Sequence, residues 1–520
     1  MFIMKVNTIS GSLFAVAARA YTLDSTAPWQ VQDCSKFASS LQGISDGVTI
    51  LNSSYIPRNS LNIGNKVNEY PLCRLFGKAP YPRNNSVIFE LWLPPSEQYN
   101  GRFLVVGNGG MAGVVSESDM MDNLNEGYAV AGGNSGHLAS ENNDGNGTPG
   151  VYLPYLHDED QIESWIHNSI AQFTPVARSI TTAFYRQAPR YSYYKGCSTG
   201  GAQGFALAQF HPNLFDGIVA GCPGNWYSHL ALSFLWNSQV TQGPNSLPQT
   251  ALDLITQAVL AKCDAIDGVE DGVLENPLVC DFDISALACS SSETNSTTCL
   301  TPEQLLAAHS IYTGPVDSRT NVSVYPGFSF GSETEWAIQE GPLADAFSIP
   351  ILQNRVFDNL SYNASTFDWA ADVDTVDERV GKLIDEISPD LSGLKDAGSK
   401  MIVYQGWADP LNAATWPIQH LRQIEDFFGG DVGAWFRLFM VPGGGHCGSA
   451  PNYPQVPGTW HALEAIVQWV EEGELPSEML GTNPSDEKLR GKTSKLCPWP
   501  QTAHLRGSDA NDWNSYVCED

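Results

Sequence analysis

The chain has 520 residues, of which 42% are hydrophobic and 11% aromatic, enough apolar material for a large packed core, so general disorder is excluded. Its 57 Asp and Glu against 27 Lys and Arg leave a formal charge of −30, a field that repels phosphate backbones and anionic bilayers. Nucleic acid and membrane surfaces are therefore excluded as partners, and the length calls for one large domain with an insertion, or for two domains.

The N-terminus carries Lys5, a weakly apolar run over 6–18 and the small-residue sequence Ala18-Arg19-Ala20. This predicts a signal peptide over residues 1–20, cleaved after Ala20. Asn7, Thr8, Ser10 and Ser12 interrupt the run, and the competing reading is an unstructured N-terminus. N-x-[ST] sequons at Asn52, Asn84, Asn146, Asn295, Asn321, Asn359 and Asn363 agree with a secreted, extracellular glycoprotein. No later segment has the uninterrupted apolar length of a membrane span. Eleven cysteines then read as a disulfide framework with one left over. Cys263 with Cys280, Cys289 with Cys299, and Cys497 with Cys518 are candidate local pairs by proximity, and Cys34 with Cys73 is a further candidate, although spacing does not fix the connectivity. Cys222 lies in an apolar run over 217–223 and is the candidate for the odd thiol.

In chain order, strand-like runs at 87–93, 102–106 and 128–131 precede a helical pattern over 160–187. A strand at 191–195, a helix over 201–210 and a strand at 218–221 follow. From about 231 to 395 the rhythm changes to cysteines, sequons, prolines and acidic turns, which reads as an inserted lid. Strand and helix patterns resume at 400–406, 417–427, 436–441 and 462–470. The predicted organisation is α/β with a mainly parallel central sheet, a first catalytic part over 21–230, a lid over 231–395 and a second catalytic part over 396–520.

Gly196-Cys197-Ser198-Thr199-Gly200 matches G-x-S-x-G in the context that gives the motif meaning, with a strand before it and a helix after it. Small residues suit a strained turn that lifts a serine hydroxyl clear of the sheet edge; an ordinary glycine-rich turn is the rival. A serine alcohol needs a base and an orienting acid. In α/β-hydrolases these follow in the order Ser, Asp or Glu, His. Asp409 closes the strand at 400–406 and His446 lies in a glycine loop after the strand at 436–441. His137 and His229 also follow strands and compete for a place in a pocket. Cys197 precedes the serine and Cys447 follows the histidine, so a bridge between them would draw Ser198 and His446 together. It would also close a very long loop, contributing about 4–5 kcal/mol in the chain-entropy account.

With these residues in view, the sequence resembles the fungal tannase and feruloyl esterase family, whose pattern is a Cys-Ser pair, an Asp and a His-Cys pair with the cysteines bridged. Residues 196–201, Trp407-Ala408-Asp409-Pro410 and Gly445-His446-Cys447-Gly448 carry it, with Trp469-Val470-Glu471 and Leu496-Cys497-Pro498 in the tail. The resemblance runs from about residue 34 to the C-terminus. It implies Ser198 as nucleophile, His446 as base then acid, and Asp409 as the group holding the imidazole. Oxyanion donors are expected from the N–H of Thr199, which follows the nucleophile, and of Gly110 in the Gly107-Asn108-Gly109-Gly110-Met111-Ala112-Gly113 turn. That turn lacks the Gly-Lys-[ST] ending of a phosphate loop and precedes no clear helix pattern.

The stretch 263–273 brings Asp264, Asp267 and Asp271 together with glycines, an oxygen-rich set that suits Ca²⁺ but lacks the EF-hand register. The resemblance implies a structural calcium loop in the lid, with those three side chains and the carbonyls of Val269 and Val273 as ligands; a solvated acidic turn is the rival. The expected function is a secreted serine esterase for phenolic acid esters, feruloyl esters first, with galloyl esters (tannase) or chlorogenate-type aryl esters as alternatives and no organic cofactor. Such a substrate is a small phenolic ester, free or attached to plant polysaccharide or polyphenol. A catalytically silent hydrolase-fold binding protein and a metal-dependent hydrolase using the Asp264 loop are rivals of other classes. Trp226, Tyr227, Phe234 and Trp236 at the lid boundary read as core packing before substrate stacking.

Overall fold

The computed structural model describes residues 28–41, 43–45, 47–141, 148–290 and 297–520. The expected signal segment and the sequons at Asn146 and Asn295 lie outside the described residues.

The centre is a nine-stranded sheet. Strands Thr49–Ile56, Leu72–Tyr81 and Asn85–Leu93 form an antiparallel wing, and the last of them pairs antiparallel with Ala129–Gly133. From there Arg102–Val106, Tyr191–Cys197, Gly217–Gly221, Lys400–Gly406 and Phe436–Val441 follow in parallel. This is the expected α/β-hydrolase arrangement. The parallel strands are apolar almost throughout because both faces are covered. Phe103, Val105, Met401 and Val403 point to one side, where helices Ser169–Tyr185, Thr199–Phe210 and Trp416–Phe428 pack. Leu104, Val106, Ile402 and Tyr404 point to the other, against helices Glu117–Asn125 and Ala462–Glu472. The alternation is the two-residue period of a strand buried on both sides.

Parallel strands leave the chemistry-bearing loops at one edge, because each strand ends at the same side and returns through a helix. Between Gly217–Gly221 and Lys400–Gly406 the described residues add no strand to this sheet. It builds instead helices Tyr227–Val240, Gln249–Cys263 and Pro302–Thr313 and several shorter turns. Their apolar faces close separate clusters, one around Leu252, Ile255, Val259, Ile311 and Trp336. Helix Tyr227–Val240 runs across residue 231, where the sequence rhythm changes.

Three elements differ from expectation. Thr49–Ile56 is an edge strand with no buried residue, so it lacks the apolar run of a central strand. Leu72–Tyr81 alternates buried and exposed positions and contains Gly77 and Pro80, which mask a ten-residue strand. Helix Glu117–Asn125 follows the Gly107 turn after a short loop, so the expected absence of a helix there is corrected. The pattern over 160–187 divides into Glu159–Glu163, a π-helical turn Ser164–Asn168, and Ser169–Tyr185.

All five cysteine pairs of the sequence reading are bridged: Cys34–Cys73, Cys197–Cys447, Cys263–Cys280, Cys289–Cys299 and Cys497–Cys518. Cys222 remains reduced and buried. Thiol titration without reductant should therefore find no reactive group in the folded protein and one per chain after denaturation; two or more would contradict this pairing.

Candidate active site

Ser198 sits between the strand Tyr191–Cys197 and the helix Thr199–Phe210 with φ 63° and ψ −121°, a conformation that L-residues rarely adopt. Neighbouring backbone holds it there. Its N–H donates to Gly221 O at 3.0 Å, and its carbonyl accepts from Gly224 N–H at 3.2 Å and Ala202 N–H at 3.1 Å. The flanking glycines are required by close approach. A Cβ on Gly196 would lie 2.5 Å from Gly200 O, and one on Gly201 would lie 2.5 Å from Gly221 O. The side chain of Ser198 is half-buried at the sheet edge.

Asp409 and His446 follow the last two strands of the sheet, Lys400–Gly406 and Phe436–Val441, paired in register through Gly406 and Val441. His446 Nδ1 is 2.9 Å from Asp409 Oδ2 and 3.1 Å from Oδ1. A carboxylate only accepts, so Nδ1 carries the proton and Nε2 presents a lone pair. That Nε2 is buried and has no partner among the described residues. Asp409 is 1% exposed. It accepts from Leu411 N–H at 2.8 Å, Asn412 N–H at 3.1 Å and Gln405 Nε2 at 2.8 Å. Burial alone would raise its carboxyl, but the adjacent His446 and these hydrogen bonds hold it below the ordinary carboxylate range. The Cys197–Cys447 disulfide, with Cα atoms 6.0 Å apart, joins the residue before Ser198 to the residue after His446. The structure thus joins His446 directly to Asp409 and links Ser198 to His446 through the disulfide of their neighbours.

Gly110 lies beside this edge in the left-handed region, with φ 55°. Its carbonyl accepts from Thr199 Oγ1 at 2.6 Å and Tyr227 Oη at 3.3 Å. Thr199 is the first residue of its helix, so its N–H has no intrahelical acceptor and carries the positive end of the helix dipole. The apolar wall here comes from the inserted segment. A Cβ on Gly110 would meet Phe347 at 3.9 Å, and Phe347 tilts against Phe234 at 5.8 Å.

The other candidates separate. His137 stacks on Tyr155 at 4.0 Å and its Nε2 donates to Met111 O at 2.8 Å. Burial lowers its pKa to about 4, keeping it neutral. His229 is spent on Val324 O and Asp377 at 2.5 and 2.8 Å. Tyr227 and Phe234 are buried, Trp226 packs on Trp416 at 4.6 Å, and Trp236 stands edge-on to Trp369 at 4.9 Å. Sequence reasoning missed Asn108 and Gln203, which form a buried hydrogen-bonded lattice behind the site. No local sequence signal marks either residue, because their partners are brought together only by the fold.

In the inserted segment, Asp264–Asp267 forms a 3-10 turn after helix Gln249–Cys263. Asp264 accepts from the N–H groups of Gly272 and Val273 at 3.0 and 3.3 Å, and Asp267 from Val269 N–H at 2.8 Å. Asp267, Val269, Asp271 and Val273 line one cavity of about 60 Å³, joined by Glu275 and Lys492. Burial, then the charges of Asp271 and Asp264, raise the Asp267 carboxyl to about 6. Lys492 Nζ lies 3.3 Å from Asp271 Oδ2. Among the described residues no three of these carboxylates bring oxygens within 4.8 Å of one another, so they share a cavity wall without closing on a point. Asp264 does not line that cavity, and the oxygen donors of Asp267, Asp271 and Glu275 would suit a hard divalent cation only with the Lys492 ammonium displaced.

The family model described as "Tannase and feruloyl esterase" matches residues 73–519. A protein named probable feruloyl esterase from Arthroderma benhamiae is 32% identical over 457 residues, covering 84% of this chain and 83% of that protein. The crystal structure of feruloyl esterase B from Aspergillus oryzae superposes with a TM-score of 0.82 at 24% identity, covering 94% of this chain and 100% of the other. Tannin acyl hydrolase from Aspergillus niger gives 0.78 at 20% identity, covering 95% and 96%.

Replacing Cys197 and Cys447 together by alanine should lower stability by about 2–5 kcal/mol, seen as a reduced denaturation midpoint. An unchanged midpoint would show that the bridge holds nothing the sheet does not.

Proposed function

From the premise that this chain belongs to the tannase and feruloyl esterase family and is a carboxylic ester hydrolase, we propose that it is a serine esterase of phenolic acid esters, feruloyl esters first, working through an acyl-enzyme. The observation that carries the reading is the pair of residues joined by one disulfide, an elbow serine and a histidine whose free nitrogen is buried without a partner. His446 Nε2 takes the proton as Ser198 Oγ attacks the ester carbon. The C=O pair becomes an oxyanion received by the N–H groups of Thr199 and Gly110, and Asp409 stabilises the imidazolium. His446 returns the proton to the departing alcohol as the C–O bond breaks. Water, deprotonated by the same nitrogen, then releases the phenolic acid and restores Ser198.

Aromatic substrate chemistry is supported by the names of the relatives and by the aromatic wall of Phe347 and Phe234 beside Gly110. Galloyl and chlorogenate-type esters remain within the same proposal as alternative substrates. We assign the segment between Gly221 and Lys400 as a lid. Asp264, Asp267 and Asp271 with the carbonyls of Val269 and Val273 would hold Ca²⁺ there, supplying structural crosslinking remote from Ser198. Secretion and glycosylation are supported by five disulfides and by the exposure of Asn52, Asn84, Asn321, Asn359 and Asn363. Among the described residues no helix is long and apolar enough to cross a membrane.

Ser198→Ala should abolish hydrolysis and leave the denaturation midpoint near its original value; retained turnover would remove Ser198 from the mechanism. Rates measured in parallel on methyl ferulate, methyl gallate and chlorogenate should rank ferulate first, and a gallate preference would make the enzyme a tannase. EDTA should lower the midpoint while initial rates at low temperature persist. Loss of turnover with the midpoint unchanged would make the metal catalytic.

A further inference from the structure

The loop over 107–113 has no regular structure, yet three of its residues, Gly110, Ala112 and Gly113, hold positive φ. For Ala112, at 58°, this costs roughly 1 kcal/mol or more, and such a conformation persists only where surrounding groups over-determine it. Those groups come largely from two side chains one turn apart on the helix after Ser198, Thr199 and Gln203. At a spacing of four residues they lie on one helical face.

Gln203 is 0% exposed and its amide is fully engaged. Its Oε1 accepts from Asn108 N–H at 3.0 Å and from Tyr194 Oη at 3.3 Å. Its Nε2 has Trp165 O at 2.8 Å, Asn108 Oδ1 and Ser135 Oγ each at 3.1 Å, and Ser169 Oγ at 3.4 Å. Asn108 extends the lattice, its Nδ2 donating to Val114 O at 2.8 Å and Gly133 O at 2.7 Å. Thr199 Oγ1 holds Gly110 O at 2.6 Å. Gln203 therefore pins the peptide unit ending in Asn108 N–H, and Thr199 pins the one containing Gly110 O. Between them lies the unit that carries Gly110 N–H. Its own carbonyl, Gly109 O, accepts from Ala112 N–H at 3.0 Å, and a trans peptide points N–H and C=O in opposite directions. Gly110 N–H is thereby turned away from the interior of its own turn.

We propose that Gln203 and the Thr199 hydroxyl are positioning residues of the oxyanion hole, fixing the loop over 107–113 at two points so that its N–H is aimed before substrate arrives. The inference rests on the serine-esterase reading above. Preorganised donors stabilise the tetrahedral state because they need no reorganisation when charge develops. Freeing either anchor lets the peptide unit rotate, which weakens transition-state binding and leaves ground-state binding nearly intact.

The test compares Thr199→Val, which deletes one hydroxyl at constant shape, with Thr199→Ser, which keeps it. It also compares Gln203→Met, which removes every lattice bond, with Gln203→Glu, which keeps the acceptor for Asn108 N–H. On methyl ferulate, Thr199→Val and Gln203→Met should lower kcat by about 10- to 100-fold, with KM within about twofold. Inhibition by phenylboronic acid, which mimics the tetrahedral state, should weaken in parallel. Thr199→Ser should restore most of the rate, and Gln203→Glu should fall between Gln203→Met and the parent. If Gln203→Met does not fold, the Thr199 pair and Gln203→Glu carry the test. Unchanged kcat in Thr199→Val, or equal losses in Thr199→Val and Thr199→Ser, would overturn the proposal. So would losses of kcat matched by rises in KM. A fluorophosphonate probe separates the two levels: an adduct on Ser198 with unaltered kcat in the variants sinks this inference alone. Absence of that adduct in the parent sinks the serine-esterase reading and the inference with it.

Discussion

The Cys197–Cys447 bridge is the constraint on which the reading of this molecule turns, because it ties the nucleophile's strand to the histidine's loop across 250 residues of sequence. Taken alone, closing so long a loop would stabilise the fold by about 5 kcal/mol in the chain-entropy account. Measured gains are usually smaller, because native-state strain and residual structure in the unfolded chain intervene. What the bridge adds is local: it fixes the flanking backbone of two residues that sit at the same edge of the sheet, one in a strained elbow and the other in a glycine loop. Misplacing a reacting pair by an ångström is costly, so a covalent strut beside it acts on rate more directly than on folding.

A reduced thiol lies under the same strut. Cys222 Sγ accepts Cys447 N–H at 3.3 Å and lies within 4.8 Å of the sulfurs of both bridged cysteines. Disulfide exchange needs a thiolate. Burial first, and the negative Asp409 second, push the Cys222 thiol well above its ordinary range, so it stays protonated. The carboxylate that orients His446 thereby also protects the bridge beside it. For the same reason Cys222 is no nucleophile in the folded protein, although its sulfur lies within 4.8 Å of His446 and Asp409.

The legibility of the sequence follows this architecture. Strands 102–106, 400–406 and 436–441 were readable to the residue because a strand buried on both faces shows an apolar run bounded by polar or glycine ends. The antiparallel wing was not, since Thr49–Ile56 faces solvent and Leu72–Tyr81 carries Pro80 within it. Ser198, Asp409 and His446 were legible because strand-end chemistry leaves local marks: glycines, a fixed chain order and paired cysteines. Asn108 and Gln203 leave none. Their partners, from Gly133 to Trp165, are brought together only by the fold, and a glutamine in a helix looks locally like any solvated residue. His137 likewise followed a strand as a base would, and only coordinates show it donating to Met111 O.

Reaction and selectivity come from different parts of the chain. In the proposed mechanism every group that handles a proton or the oxyanion stands on the sheet's loops or on the helix Thr199–Phe210. The surfaces that meet these groups from above, Tyr227 on Gly110 O and Phe347 beside its Cα, belong to the inserted segment. That segment is fastened to the core helix Trp416–Phe428: Trp416 Nε1 donates to Asn225 Oδ1 at 2.9 Å, and Asn225 O in turn receives Glu386 N–H at 2.6 Å. Side chains on the insertion can therefore change without moving the peptide units that bind the transition state. Such a division lets one sheet serve several phenolic esters, with the choice among them made by residues that take no part in bond making.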